Sequence, residues 1–384
     1  MNWSRPGRIL MTTDTIGGVW TYATSLARRL CREGCEVSLV TLGPAPRDAA
    51  IRALATIRGL DLTVTDLALE WMDPEGRDLA RAIAELHRIE DRARPELIHL
   101  NSYREALGVW RAPVLIAAHS CVRSWWRACR STDPDEPRWS RYVANARAGL
   151  SAADRWVAPT KSFRDVIQQL YRPPTPGQVI PNGLEIDAVC RDAEKEPIIL
   201  ASGRLWDEAK NVSLLAGIAP ELPWPMRMAG PMRAPEAHSA WLPRTDNISF
   251  LGELTRGDLM TEMRCAAVFA APALYEPFGL SVLEAAACGC ALVLSDIDSF
   301  RELWDGAALF VDPRDPTAWQ DILTRLANDG DLRHELQQRA ASRAARYTLN
   351  NSGRAYRKLY AAMLERRPAR PRQTAHQARH EVRP

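Results

Sequence analysis

No stretch of this 384-residue chain approaches the roughly 18 apolar residues of a membrane-spanning helix, and the opening MNWSRPGRILMTTDT holds too short an apolar run for a secretory signal. A soluble, cytoplasmic protein, at most peripheral at a membrane, is the expectation. The eight cysteines include no Cys-x-x-Cys pair. Cys31 and Cys35 lie one helical turn apart and Cys288 and Cys290 flank a glycine, so neither a secreted disulfide framework nor a zinc site is suggested and reduced thiols are expected. A net charge of +3 gives no basic face for nucleic acid. The clearest basic cluster, 366–384, is rich in Arg, Pro, Gln and His and poor in apolar residues. It reads as a disordered tail, either without a role or in contact with anionic lipid or another protein. A full Gly-x-Gly-x-x-Gly is also missing, which removes a nicotinamide-type fingerprint.

What remains is an ordinary globular composition, 46% hydrophobic and 25% charged, on a chain long enough for two cores. Short apolar runs of strand length alternate with helical spacing. Strands are expected at 8–12, 36–42, 96–100, 113–118 and from 156, with a helix at 20–31 that carries Tyr22, Leu26 and Leu30 on one face and stops at Gly34. Pro173, Pro174, Pro176 and Gly177 then lead into Pro181-Asn182-Gly183, the expected domain boundary. The second half repeats the pattern with strands at 198–202, 226–229, 248–251, 268–271 and 291–295, and with Asn211 and Thr255 or Asp258 as helix caps. Such βαβ alternation predicts an α/β protein of two doubly wound, Rossmann-like domains, 1–187 and 188–348, facing across a cleft at the carboxyl ends of their strands.

The most informative segment is APALYEPFGLSVLEAAACGCALVLSD. Glu284 is the only charged residue from Phe278 to Leu294, so one carboxylate sits in an otherwise apolar helix. Burying it without a partner costs several kcal/mol. Eight residues earlier Glu276 precedes a Pro-Phe-Gly break. The order is strand, loop, helix, and the unpaired N–H groups near Phe278, Gly279 and Leu280 favour a phosphate or another anion. Glu276, repelled by that anion, would hold hydroxyls attached to it, and Glu284 a second hydroxyl set. Sugar, diphosphate and ribose supply these groups in order. The alternative pairs Glu284 with an Arg or Lys of a neighbouring helix and leaves Glu276 solvated.

Gly203-Arg204 and Lys210 place two cations after the first strand of the second domain. A cation about 4 Å from a phosphate oxygen is worth about 4 kcal/mol at an effective dielectric near 20, Arg as a fork and Lys as a point charge; a solvated basic turn is the competing reading. Gly17-Gly18 reads as half a phosphate cradle or a plain tight turn. His119 closes a strand and either meets a sugar hydroxyl or is a satisfied core histidine. The segment 120–147, with Trp125, Trp126 and Trp139 among arginines, reads as a long loop that stacks on an acceptor or simply packs. Asp133-Pro134-Asp135 and Asp296-Ile297-Asp298 match a short metal-holding pattern but are better explained as turn caps.

Together Glu276-Pro277-Phe278-Gly279 with Glu284 (Glu-x7-Glu), Gly203-Arg204 with Lys210, Pro181-Asn182-Gly183, Gly17-Gly18 and Gly252 resemble the family-4 retaining glycosyltransferases of GT-B fold, over nearly all of 8–365. The resemblance implies transfer of a sugar from a nucleotide-diphosphate-sugar donor, with retained configuration, to an acceptor hydroxyl, with no metal and no cofactor. It assigns donor-sugar hydroxyls to Glu276 and His119, ribose to Glu284, phosphates to Arg204 and Lys210, and the base to the backbone of 251–254, ending at Leu254. Gly17, Gly18, Gly203, Phe278, Gly279 and Leu280 complete the donor site. A final helix within 349–366 would cross back to the first domain, before the tail 367–384. Asn211 stands where many relatives carry glycine. The acceptor, whether carbohydrate, lipid-linked or a small molecule, is left open. So are two other readings, a nucleotide-sugar epimerase of the same fold and a non-catalytic nucleotide-sugar-binding protein.

Overall fold

The computed structural model describes residues 7–185, 194–234 and 247–365. Within them two parallel sheets form, each the core of an α/β domain. The first comprises β1 (Arg8–Asp14), β2 (Glu36–Leu42), β3 (Leu60–Thr63), β4 (Leu97–Leu100), β5 (Val114–Ala117), β6 (Arg155–Ala158) and β7 (Gln178–Val179), in the order β3-β2-β1-β4-β5-β6-β7. The second comprises β8 (Glu196–Ser202), β9 (Met226–Ala229), β10 (Ile248–Gly252), β11 (Ala266–Ala271), β12 (Ala291–Ser295) and β13 (Leu309–Val311), ordered β10-β9-β8-β11-β12-β13. Each order reverses direction beside its first strand, which opens a crevice at the carboxyl ends, where ligands of such sheets bind.

The helices of the first domain are α1 (Gly18–Arg32), α2 (Asp48–Ala55), α3 (Leu79–Ala93), α4 (Val122–Arg130), α5 (Pro137–Ala152) and α6 (Lys161–Tyr171). Those of the second are α7 (Val212–Ile218), α8 (Arg256–Cys265), α9 (Leu280–Ala287), α10 (Asp298–Trp304), α11 (Pro316–Asn328) and α12 (Gly330–Ala344), followed by α13 (Leu349–Glu365). Strand β1 is buried from Ile9 through Thr13 because helices cover both faces. On α1 the buried residues Tyr22, Ala23, Leu26, Ala27 and Leu30 follow the 3.6-residue period.

The chain returns to the first domain through α13, which packs on α1. Tyr356, Leu359 and Tyr360 are buried against Ile9 and Met11 of β1, each worth about 1.5–3 kcal/mol of transfer free energy. The Tyr360 hydroxyl also lies 2.6 Å from Nδ1 of His99 on β4. At the crossing point Gly183 touches the other strand of the crossover, since a Cβ there would stand 2.3 Å from the Thr348 carbonyl oxygen. This close approach is the physical reason for glycine in Pro181-Asn182-Gly183. The expected boundary at 187/188 and the tail 367–384 lie outside the described residues.

Three local expectations need correction. The segment 120–147 is not a long loop but carries α4 and most of α5; Cys121 caps the first by accepting from Ser124 N–H, and Pro137 opens the second. Asn211 stands at the N-cap of α7 but does not cap it with its side chain: its Nδ2 donates to the carbonyls of Pro272 (3.0 Å) and Pro313 (2.8 Å), tying three loops at the sheet's carboxyl edge. The first carboxylates of the Asp-x-Asp pairs sit in ion pairs instead of turns, Asp133 with Arg123 and Arg127, Asp296 with Arg301 at 2.6 Å. Thr255 does cap α8, accepting from Asp258 N–H at 3.2 Å.

Candidate active site

Between the two sheets lies a cavity of about 540 Å³. The site residues named from the sequence line it, apart from Leu251 and Gly252 of the base-binding stretch: Gly17, Gly18 and His119 from the first domain, and Gly203, Arg204, Lys210, Leu254, Glu276, Phe278, Gly279, Leu280 and Glu284 from the second. Each stands just past the carboxyl end of a strand or on the first turns of the helix that follows. A larger cavity, about 760 Å³, opens beside β3 and shares Pro44 with the cleft.

The second domain brings the charge. Lys210 Nζ donates to Glu276 Oε2 at 2.5 Å, and Glu276 Oε1 accepts from Gly279 N–H (2.9 Å) and Phe278 N–H (3.3 Å). Burial would raise the Glu276 pKa, but Lys210, the Phe278 N–H and Arg204 outweigh it and hold the carboxyl below its ordinary value. Here the expectation changes. The N–H groups of Phe278 and Gly279 do not stand open for an anion beside a free Glu276, because the Glu276 carboxylate itself takes both. It is the nearest acceptor, it sits two and three residues away, and it neutralises the dipole of α9.

Arg204 is treated similarly. Its Nη2 and Nε reach Asp207 Oδ2 at 2.7 and 3.2 Å. Burial opposes its charge, yet Asp207, Asp14 and Glu276 keep the guanidinium pKa above its ordinary value. Its Nη1 lies against Gly17: a Cβ at that residue, whose φ is +89°, would stand 2.6 Å away. The Gly17-Gly18 turn is therefore a place where the first domain makes room for a cation of the second. Glu284, 6% exposed, faces Arg256 of α8 at 3.4 Å, as the alternative reading had it, and lines the cleft as well. Burial raises its pKa against the pull of Arg256.

The first domain's wall is neutral by comparison. His119 Nε2 lies 2.8 Å from Asn101 Oδ1. Asn101 Nδ2 donates to the Thr12 carbonyl at 2.6 Å, which fixes the amide so that Oδ1 must accept. Nε2 of His119 therefore carries the proton and Nδ1 is an acceptor. Burial lowers the His119 pKa to about 3, so the ring is neutral, and it packs on Tyr22 with centroids 4.3 Å apart. Two buried oxygens on the cavity wall, Asn182 Oδ1 and Ser202 Oγ, have no partner among the described residues.

Two residues, Asp14 and Asp207, escaped the sequence reading, and a third, Trp125, was read only as stacking on an acceptor or packing. Asp14 ends β1, accepts from Ile16 N–H at 2.5 Å, and is pushed up to about 7 by burial against the opposing effects of that N–H group and of Arg204. Its strand-end position was the available signal. Asp207 and Trp125 meet across the cleft, Trp125 Nε1 donating to Asp207 Oδ1 at 3.0 Å. Nothing in either local sequence indicates that pairing.

Further contacts hold the domains closed. Tyr275 OH reaches Ser124 Oγ (2.8 Å), Arg130 pairs with Glu208 (3.0 Å) and Arg47 with Glu253 (2.7 Å). Glu302 of α10 accepts from the N–H groups of Lys161 (2.6 Å) and Ser162 (2.8 Å), which open α6.

Residues 16–188 match the family described as Glycosyltransferase Family 4, and residues 185–343 the one described as glycosyl transferases group 1. The chain belongs to the family-4 glycosyltransferases. Among its relatives, the D-inositol 3-phosphate glycosyltransferase of Xylanimonas cellulosilytica is 27% identical, over 93% of this chain and 94% of that protein. The alpha-maltose-1-phosphate synthase of Mycolicibacterium smegmatis is 24% identical, over 82% of this chain and 86% of that one. Among solved structures, sucrose-phosphate synthase from Thermosynechococcus elongatus superposes with a TM-score of 0.73 at 18% identity, over 92% of this chain and 99% of that chain. Anabaena HepE in complex with UDP-glucose gives 0.71 at 14% identity, over 92% and 99%. The glycosyltransferase thus has the GT-B architecture of two Rossmann-like domains. No described helix is long and apolar enough to cross a membrane.

Proposed function

We propose that the enzyme transfers a sugar from a nucleotide-diphosphate donor to an acceptor hydroxyl with retention of anomeric configuration and without a metal. The observation that carries this reading is the convergence of Arg204, Lys210 and the start of α9 on one cavity whose opposite wall carries the neutral His119 and the Asn182 amide. The diphosphate takes over Lys210, Arg204 and the N–H groups that Glu276 now occupies, which frees the Glu276 carboxylate to accept from donor-sugar hydroxyls. Glu284 accepts from ribose hydroxyls, the backbone near Leu254 meets the base, and His119 Nδ1 accepts a hydrogen bond from a sugar hydroxyl.

The bond between the anomeric carbon and the β-phosphate oxygen breaks, and its electron pair stays on the phosphate. The acceptor oxygen bonds the anomeric carbon on the same face, and its proton passes to the departing phosphate oxygen. No separate base is required; positioning and stabilisation of leaving-group charge supply the rate. With Arg204, Lys210 and the α9 terminus available, the diphosphate has counter-charge from the protein itself, and the Asp133 and Asp296 carboxylates are already engaged by arginines.

The test is a thermal-shift panel of uridine, guanosine and adenosine diphosphate sugars, followed by mass spectrometry of acceptor mixtures. Those mixtures should include phosphorylated and free polyols, because relatives are named for D-inositol 3-phosphate. Stabilisation by one donor class and a glycosylated product of retained configuration support the reading. Donor binding without consumption across all acceptors would replace it with a sugar-nucleotide-binding role, and chelation that abolishes turnover, restored by magnesium, would reopen the metal question.

A further inference from the structure

Asp207 is the hub of an arrangement that crosses the cleft. It is 6% exposed, and its carboxylate is fully engaged: Oδ2 holds Nε and Nη2 of Arg204, while Oδ1 accepts from Ala209 N–H at 3.0 Å and from Trp125 Nε1 at 3.0 Å. Three of these donors belong to the second domain. The fourth, Trp125 on α4, belongs to the first. Resting on the donor-binding role given to Arg204, we propose that Trp125 is a positioning residue of the transfer reaction, acting through Asp207 to set Arg204 for the diphosphate when the domains close.

A carboxylate that grips a guanidinium competes with a phosphate for it. Each neutral N–H bonded to the carboxylate draws off part of its charge and fixes its plane. With the domains closed, Asp207 Oδ1 carries two such donors, and the grip of Oδ2 on Arg204 is correspondingly weaker and better oriented. Nη1 is then the edge of the guanidinium that Asp207 leaves uncovered, lying toward the Gly17 turn in the cleft. If the domains part, Trp125 leaves and Oδ1 turns to water. The phosphate clamp therefore reaches full strength only in the closed enzyme, where water is excluded and transfer is not wasted on hydrolysis. Neighbouring contacts keep the indole in place: the Arg130 guanidinium stacks 5.3 Å from the Trp125 ring and 4.4 Å from Trp126 while pairing with Glu208.

The test is a double-mutant cycle of Trp125→Phe and Asp207→Asn in the full chain, read in two ways. Trp125→Phe keeps a ring but removes the N–H. It is expected to lower kcat about tenfold with the donor KM changed less than threefold, and to weaken binding of the free nucleoside diphosphate product, measured calorimetrically with uridine, guanosine and adenosine diphosphates, by a similar factor. In the Asp207→Asn background the same substitution should change both quantities less than twofold. Glu208→Gln, which cuts the adjacent interdomain ion pair without touching Asp207, should instead multiply with Asp207→Asn. Trp125→Phe effects that multiply with Asp207→Asn, or a Trp125→Phe protein with wild-type kcat and wild-type diphosphate affinity, overturn the proposal. Because the binding arm needs no turnover, a wild-type protein that binds a nucleoside diphosphate but transfers nothing would defeat the function proposed above while the cycle still decides this coupling.

Discussion

The two walls of the cleft are built on opposite principles. The second domain presents Arg204, Lys210, Glu276 and Glu284 within a few residues of glycines and helix starts, and each charge already has a partner in Asp207, Glu276, Lys210 or Arg256. The first domain presents a neutral His119, backbone at Gly17 and Gly18, and an Asn182 amide oxygen without a partner among the described residues. A charged ligand must exchange partners on one side, and a polyhydroxylated one can simply add hydrogen bonds on the other. In the proposed reaction the second domain's wall grips the phosphates and the first domain's wall aligns hydroxyls, so variants on the two walls should fail differently.

The largest effect is expected on the charged wall. Lys210→Met and Glu276→Gln should each lower kcat about 10³-fold in a donor-consumption assay, with unchanged circular dichroism. Glu276→Ala is a poorer test: it strips the acceptor from Phe278 and Gly279 N–H and takes the carboxylate from the Lys210 ammonium, at a cost of about 1–3 kcal/mol of stability. A Lys210→Met enzyme with near wild-type kcat would erase the contrast between the walls. On the neutral wall, His119→Ala removes one acceptor and should cost roughly 10- to 100-fold, with nucleoside diphosphate affinity preserved. Loss of that affinity instead would mean that His119 serves the phosphates.

Smaller effects sharpen the contrast. Glu284→Gln should raise the donor KM about tenfold with kcat little changed, as for an interaction made equally in ground and transition states. Asp14 titrates at about 7 near Arg204, and its ionisation places a negative charge beside the phosphate site. The affinity for a nucleotide-sugar, measured calorimetrically, should therefore weaken a few-fold as pH rises through about 7, and Asp14→Asn should flatten that dependence. The smallest effect concerns stability. His119 and His99 are lowered by burial from 6.5 to about 3, so between these values the unfolded chain takes up protons that the folded one refuses. Their contribution is complete above about 6.5 and lost as pH falls, while Asp14, raised to about 7, acts in the opposite sense. The thermal midpoint of His119→Ala should accordingly fall less between pH 7 and pH 5 than that of the wild type.

Much of the charged wall was legible because its signals are local. Glu284 stands alone in an apolar helix, Lys210 follows Arg204 by six residues, and strands β2, β9 and β12 are short apolar runs ending at turn residues. Edge strands were harder: β3 is half exposed along Leu60–Thr63 and β13 is three residues long, so neither makes a buried run. What stayed invisible is pairing across the cleft. That Trp125 finds Asp207 and that Arg204 lies against Gly17 depend on how the chain returns through α13 and closes the domains, which no window of residues encodes.

The most direct measurement is a crystal structure of the enzyme with a nucleoside diphosphate. The diphosphate oxygens should lie within hydrogen-bond reach of both Arg204 and Lys210, at the start of α9, with the Lys210–Glu276 contact given up. A diphosphate seated elsewhere, for instance in the cavity beside β3 lined by Arg81 and Arg88, with the Arg204–Asp207 and Lys210–Glu276 pairs undisturbed, would contradict the account.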